Sequence, residues 1–334
     1  MNRADRLTEG LTAFLVDRLG VDAAPEVTEV ALISSVGNAR DPWSFTATWR
    51  SPEGNEHRER CVMLLQAEAG QLETALGPEF NAVAALEDSG VPVARALWCD
   101  ETGDWLGQPF FVTAFVPGTA AMRPLRVEGG VPEIRSVALD LARAAARLHN
   151  FDWSQTSLVD LGVVTPEGAA LAQLAQWEEQ FDRQRLEPHP SLAYAFSWLR
   201  SNAPIASHIS VVHGDLRFGN LLYDDDRLTA LVDWEMVHLG DPVEDLGWVY
   251  RRIWTPERSL PFEEFLAAYE HEAARPVDRE TLRWYQAFSE AKHAMISLTA
   301  ARSFFERSTL NLRHADRAET LPAFLDRFYE LIAQ

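Results

Sequence analysis

Three polar residues set among apolar runs define the chemistry open to this chain: Asp215, Asn220 and Asp233. They fall in Val211-Val212-His213-Gly214-Asp215-Leu216-Arg217-Phe218-Gly219-Asn220-Leu221-Leu222-Tyr223 and in Leu228-Thr229-Ala230-Leu231-Val232-Asp233-Trp234-Glu235. The apolar runs read as strands, and Asp224-Asp225-Asp226 between them reads as a hairpin turn. Asp233 then closes the second hairpin strand, and three side chains meet at strand ends, where rigid sites are built. Carboxylate and amide oxygens are hard ligands suited to magnesium. A loop Asp that orients a hydroxyl and takes its proton, an Asn five positions later and a second Asp on the next strand is an arrangement that moves a phosphoryl group. The separations here are five residues from Asp215 to Asn220 and thirteen from Asn220 to Asp233. Arg217, two positions after Asp215, has the charge and the fork to cover the equatorial oxygens of a transferred group.

The elements that must position these residues fall into two parts. Residues 2–20 carry Leu7, Leu11, Phe14, Leu15 and Leu19 at helical spacing. Strands are expected at Val27–Ser34 and Phe45–Trp49 around a turn at Gly37–Pro42, then at Cys61–Gln66, Val93–Cys99 and Phe110–Val116, with a helix over Gly77–Asp88. Pro117-Gly118 breaks the chain. Beyond it, helical patterns cover Ile134–Leu148, 168–184, 190–202, 242–254, 261–273, 278–305 and 319–333, and a β-rich island spans Ile209–Trp234. The fold class expected is α+β: an N-terminal part of about 115 residues, then a larger, mainly helical part. Residues 121–131 are expected to be the most mobile loop.

Bulk properties bound the partners. The 334 residues carry 50 acidic and 30 basic side chains, a formal charge of −20. That field repels nucleic acid and anionic membranes, and no apolar run reaches the ~18 residues a membrane span needs. Two cysteines, Cys61 and Cys99, form neither a disulfide framework nor a CxxC pair. A reducing, cytoplasmic setting is expected. The chain contains one lysine, Lys292.

The stretches HGDLRFGNLLYD, ALVDWEMVHLGDPVEDLGWV, LARAAARLHNFDW and PFFVTAFVPG resemble the aminoglycoside phosphotransferase and choline kinase-like superfamily. Within it the chain is most similar to kinase domains related to those fused to some acyl-CoA dehydrogenases. The resemblance implies a bilobal protein-kinase-like fold with a small antiparallel sheet and helix as N-terminal lobe. Residues 1–116 would be the nucleotide-binding lobe and 117–334 the catalytic and substrate-binding lobe. It implies ATP as co-substrate, with GTP not excluded, magnesium as metal, and a hydroxylated small molecule as acceptor. Asp215 would be the catalytic base with Arg217 beside it, and Asn220 and Asp233 the magnesium ligands. Backbone groups of Ala114 and Val116 would bind adenine. Glu79 would be the helix acid that steadies a phosphate-binding cation. Asp241 and Asp245 would brace the loop, with His213 packed beneath it.

The pattern is broken at one place. The third-strand cation that anchors nucleotide phosphates falls at Leu64 or Leu65, and no lysine lies in the first 116 residues. Three readings stay open: an arginine such as Arg40, Arg58 or Arg60 takes its place; magnesium and Arg217 suffice; or the protein is a catalytically weak or inactive binding protein with this fold. The phosphate-covering segment, Ser34 to Arg40, is also atypical, with one glycine. A different reading, a metal-dependent hydrolase using His213, Asp215, Asp233 and His238, leaves the Asp–Asn spacing unexplained. Trp153, Trp177, Glu178, Glu179, Phe181 and Trp248 are candidates to line an acceptor pocket, although aromatic residues at helical spacing are usually core.

Overall fold

The computed structural model describes residues 2–33, 40–66, 75–185, 187–307 and 312–334. Segment 34–39, expected to cover phosphates, lies outside them. The chain divides into two compact units, Met1–Glu87 with Val93–Pro117, and Asp88–Pro92 with Gly118–Gln334.

The first unit is a five-stranded antiparallel sheet with two helices. Helix α1, Arg3–Leu19, opens on a capping box in which Asn2 and Asp5 exchange side chain-to-backbone hydrogen bonds. Its Leu7, Leu11, Phe14 and Leu15 repeat on one helical face and are buried. Strands β1 (Glu26–Leu32), β2 (Arg40–Arg50), β3 (Glu56–Gln66), β4 (Ala96–Asp100) and β5 (Phe110–Ala114) stand in the order β1-β2-β3-β5-β4. Alternation sends Trp43, Phe45, Ala47, Cys61, Met63, Leu65, Phe110 and Val112 to the α1 side, where they form one core cluster with it. The opposite side carries Leu64 and Phe111, and Phe80 of helix α2 (Leu76–Ala85) packs on Phe111 with ring centroids 5.9 Å apart.

Strand β2 begins at Arg40 and runs through Pro42, which was expected in a turn. Proline lacks the N–H a ladder asks for, but its carbonyl is what Ile33 N–H needs, at 2.9 Å. Pairing of all eleven β2 residues with β3 then outweighs the local turn signal. Strand β4 starts three residues later than the apolar run suggested.

The second unit is mainly helical. Helices α3 (Pro132–His149), α4 (Ala169–Gln184), α5 (Pro190–Ser201), α6 (Val243–Val249), α7 (Phe262–Ala273), α8 (Arg279–Phe305) and α9 (Leu312–Ile332) surround two small β-ribbons. One ribbon pairs β6 (Ser210–Val212) with β9 (His238–Gly240), and β9 was not expected, three residues being too short for a pattern. The other is the expected hairpin of β7 (Leu221–Asp224) and β8 (Arg227–Leu231), with Asp225 left-handed at its tip. Helix α8 buries residues all round, as a central helix does. Helix α9 begins seven residues before the expected start and passes through Pro322. Among the described residues no helix is long and apolar enough to cross a membrane.

Candidate active site

The loop from His213 to Asn220 leaves β6 and enters β7, and its shape is imposed from beneath. Asp245, fully buried on α6, accepts the N–H groups of His213 at 2.8 Å and Gly214 at 2.9 Å. His149 of α3 donates from Nε2 to the same carboxylate at 3.2 Å, and its Nδ1 meets the Tyr269 hydroxyl at 2.9 Å. Burial alone would push the Asp245 carboxyl up, but the hydrogen bond and charge of His149, with His213, more than offset it and hold its pKa below the usual carboxylate value. Gly214 has φ +79°, and a Cβ there would stand 2.4 Å from the Met236 carbonyl oxygen, so only glycine fits.

His213 is a strut. Its Nε2 donates to the Val232 carbonyl at 3.2 Å and its Nδ1 accepts the Asp215 N–H at 3.3 Å. Burial lowers its pKa, which keeps it in that neutral form. Both ring nitrogens are committed, and both of His238 face acceptors, Met236 O at 2.9 Å and Glu244 Oε2 at 3.2 Å. The histidines of the hydrolase reading therefore have no nitrogen to give a metal. Among the described residues no group of three or more His, Cys, Asp or Glu is arranged to hold one.

Asp215 sits in a ring of donors. Arg217 Nε bridges both carboxylate oxygens at 3.0 Å. Asn220 Nδ2 donates to Oδ2 at 2.6 Å and to the Asp215 carbonyl at 3.1 Å. Trp248 Nε1 of α6 donates to Oδ1 at 2.6 Å. Each carboxylate oxygen thus receives two donors, which fills its lone pairs. Arg217 also lies over the Trp254 ring at 5.4 Å.

Under this ring lies a second layer. Lys292, the chain's one lysine, is on α8 and 1% exposed. Its Nζ donates to the Gly214 carbonyl at 2.7 Å and to Glu244 Oε1 at 3.2 Å, and sits 4.7 Å from the Trp248 ring centroid. Glu244 holds His238 on its other oxygen. Burial opposes a charge on His238, yet Glu244 and the Met236 carbonyl win and raise its pKa. Burial likewise opposes ionised Glu244, but His238 and Lys292 together keep its pKa low. A buried carboxylate between two cations satisfies all three.

The expected metal ligands are drawn together through the backbone. The Val232 N–H donates to the Asn220 carbonyl at 3.0 Å, and Leu231 pairs with Leu221. Asp233 follows immediately with φ +69°, a left-handed residue that turns its side chain out of the strand line. With Nδ2 turned to Asp215, the Asn220 amide presents Oδ1 elsewhere, and among the described residues nothing donates to it. One amide oxygen and one half-exposed carboxylate are a hard-oxygen pair that fits magnesium and leaves coordination positions for phosphate and water.

The other candidates take different places. Glu79 on α2 is ion-paired with Arg40 at 3.3 Å. The Ala114 N–H is given to Arg95 O at 2.9 Å and the Phe115 N–H to Arg60 O at 2.8 Å. Asp241, two residues before α6 begins, accepts the Val243 N–H at 3.0 Å. Trp177 and Phe181 are buried on α4, and Trp153 Nε1 donates to Ile209 O at 3.3 Å, so these are packing residues. Trp248, singled out for a pocket wall, is instead 2% exposed and bonded to Asp215. Lys292 as a brace for Gly214 had no local signal, because 78 residues separate the partners.

A five-stranded antiparallel sheet with its helix, followed by a mainly helical part that holds such a loop, is the fold of kinase-like phosphotransferases. The chain belongs to the phosphotransferase enzyme family, whose model matches residues 40–285. It is 29% identical over 178 residues to acyl-CoA dehydrogenase family member 10 of Mus musculus, covering 52% of this chain and 16% of that protein's length. In structure it resembles a Ralstonia eutropha protein described as a candidate aminoglycoside phosphotransferase, with TM-score 0.73, 22% identity and 97% of each chain covered. It also resembles a thermostable mutant of aminoglycoside phosphotransferase APH(4)-Ia solved with ADP and hygromycin B, with TM-score 0.62, 16% identity and 97% and 99% of the two chains covered. Identities this low carry the fold alone.

Proposed function

We propose that the protein transfers the γ-phosphoryl group of ATP to a hydroxyl of a small molecule. The observation that carries this reading is the donor ring on Asp215, in which Arg217, Asn220 and Trp248 hold a buried carboxylate in one orientation. In the reaction Asp215 receives the proton of the acceptor hydroxyl, the acceptor oxygen bonds to the γ-phosphorus, and the bond to the ADP oxygen breaks. Arg217 has two tasks. It fills one acceptor position on each Asp215 oxygen. Moving to the phosphoryl oxygens, it uncovers the base and meets the developing charge. Asn220 Oδ1 and Asp233 would hold magnesium, which when bound would neutralise phosphate charge. The Ala114 carbonyl and the Val116 N–H meet the adenine edge. A solved structure of the same fold, a ternary complex with ADP and hygromycin B, supports a nucleotide and a small-molecule acceptor.

Calorimetric titration of Mg-ATP and Mg-GTP into the wild type and Asp233→Ala tests the reading. Binding that needs magnesium and disappears in the variant is expected. A nucleotide-consumption screen over hydroxylated metabolites follows, and turnover unaffected by Asp215→Ala would refute the assigned base.

A further inference from the structure

Register shows where the missing third-strand cation belongs. Leu65 faces α1 within the core cluster. Leu64 points the other way and pairs with Phe111, on which α2 rests, so a cation serving the α2 acid would leave β3 from position 64. One strand over, Pro42 pairs with Leu64 and Arg40 with Gln66. Arg40 is thus the diagonal neighbour of Leu64 on the same face, roughly 7–8 Å away, well inside the reach of an arginine side chain. Its side chain is 6% exposed and its Nε donates to Glu79 Oε2 at 3.3 Å. Arg58 and Arg60 share this face of the sheet but lie farther along β3. Arg58 approaches Glu29 at 3.9 Å on the exposed surface, and Arg60 lies over the Phe115 ring at 3.8 Å.

We propose that Arg40, oriented by Glu79, is the cation that anchors the α- and β-phosphates: the anchor has moved from the third strand to the second. The proposal rests on the phosphotransferase reading above. A guanidinium carries five N–H donors, enough to serve Glu79 and phosphate oxygens together, and its fork matches phosphate geometry. Leucine at position 64 is then tolerated because the charge arrives from the adjacent strand.

The test is calorimetry with Mg-AMP-PNP on the full chain, with melting curves to confirm folding. Arg40→Gln combined with Glu79→Gln removes both charges while keeping a hydrogen-bonded pair, so it avoids stranding a buried acid. Loss of a buried charge-assisted contact predicts a Kd raised about 30-fold or more. Arg40→Met with Leu64→Lys puts the cation back on β3, and binding within about fivefold of the wild type is expected. A neutral pair that binds within threefold of the wild type, or a loss with no recovery by Leu64→Lys, overturns the proposal. Wild type that binds no Mg-AMP-PNP sinks the phosphotransferase reading itself, a separate result.

Discussion

Lys292→Met probes the layer beneath the loop from His213 to Asn220. The ammonium makes two buried hydrogen bonds, to Gly214 O at 2.7 Å and Glu244 Oε1 at 3.2 Å, and sits over Trp248. Methionine keeps most of the volume, so a cavity contributes little. The Gly214 carbonyl is left without this donor, and Glu244 keeps one cation where it had two. Breaking a buried pair by removing one partner costs about 3–5 kcal/mol. Adding Glu244→Gln removes the stranded charge, so the double variant is expected to lie about 1–2 kcal/mol above the single one in stability. Hydrogen exchange of α6 and α8 amides reports the opening free energy of this region without assuming that the whole chain unfolds in one step. A single variant costing under about 1 kcal/mol, or a double variant costing the sum of its singles, would refute the claim that Lys292 is an electrostatic brace.

Asp241 tests the electrostatics from the other side. Burial, with Glu244 nearby, raises its pKa to about 6 from 3.8. A raised carboxyl contributes stability that is full below about pH 4 and lost as pH rises through about 6. Relative to Asp241→Asn, the wild type should therefore lose on the order of 3 kcal/mol between those limits. Matched pH-dependent unfolding of the two proteins gives the difference, and parallel curves would contradict it. Cys61 and Cys99 are both pushed up to about 12, by burial first and then by neighbouring acids. Neither should react with iodoacetamide at pH 8 in the folded protein, and both should in urea, as mass spectrometry would show.

Much of the loop from His213 to Asn220 was legible because its signals are local. The apolar runs around Asp215 and Asn220 and the Asp225 turn each lie within a dozen residues, and the structure forms the strands and the turn. Helices α1, α3, α4, α5, α7 and α8 were legible to within a residue or two because their apolar faces repeat every three or four positions. Contacts across long sequence distances were not. Trp248 carries no mark that its N–H is aimed at Asp215, 33 residues away. Arg40 looks from sequence like a loop residue, since Pro42 and the preceding glycine signal a turn, and only pairing with β3 shows it in a strand. The β9 strand and the start of α9 were missed for the same reason: partner strands and helices decide them.

The burial of Lys292 reaches beyond the loop it supports. Every other basic side chain of the chain, histidine apart, is arginine, so the described surface offers no lysine ε-amine to solvent. Acyl donors, succinimide esters and isopeptide-forming enzymes that attack primary amines find no lysine target there until the second unit opens. Acylation of position 292 would then serve as a clock for that opening, readable on one peptide against a silent background.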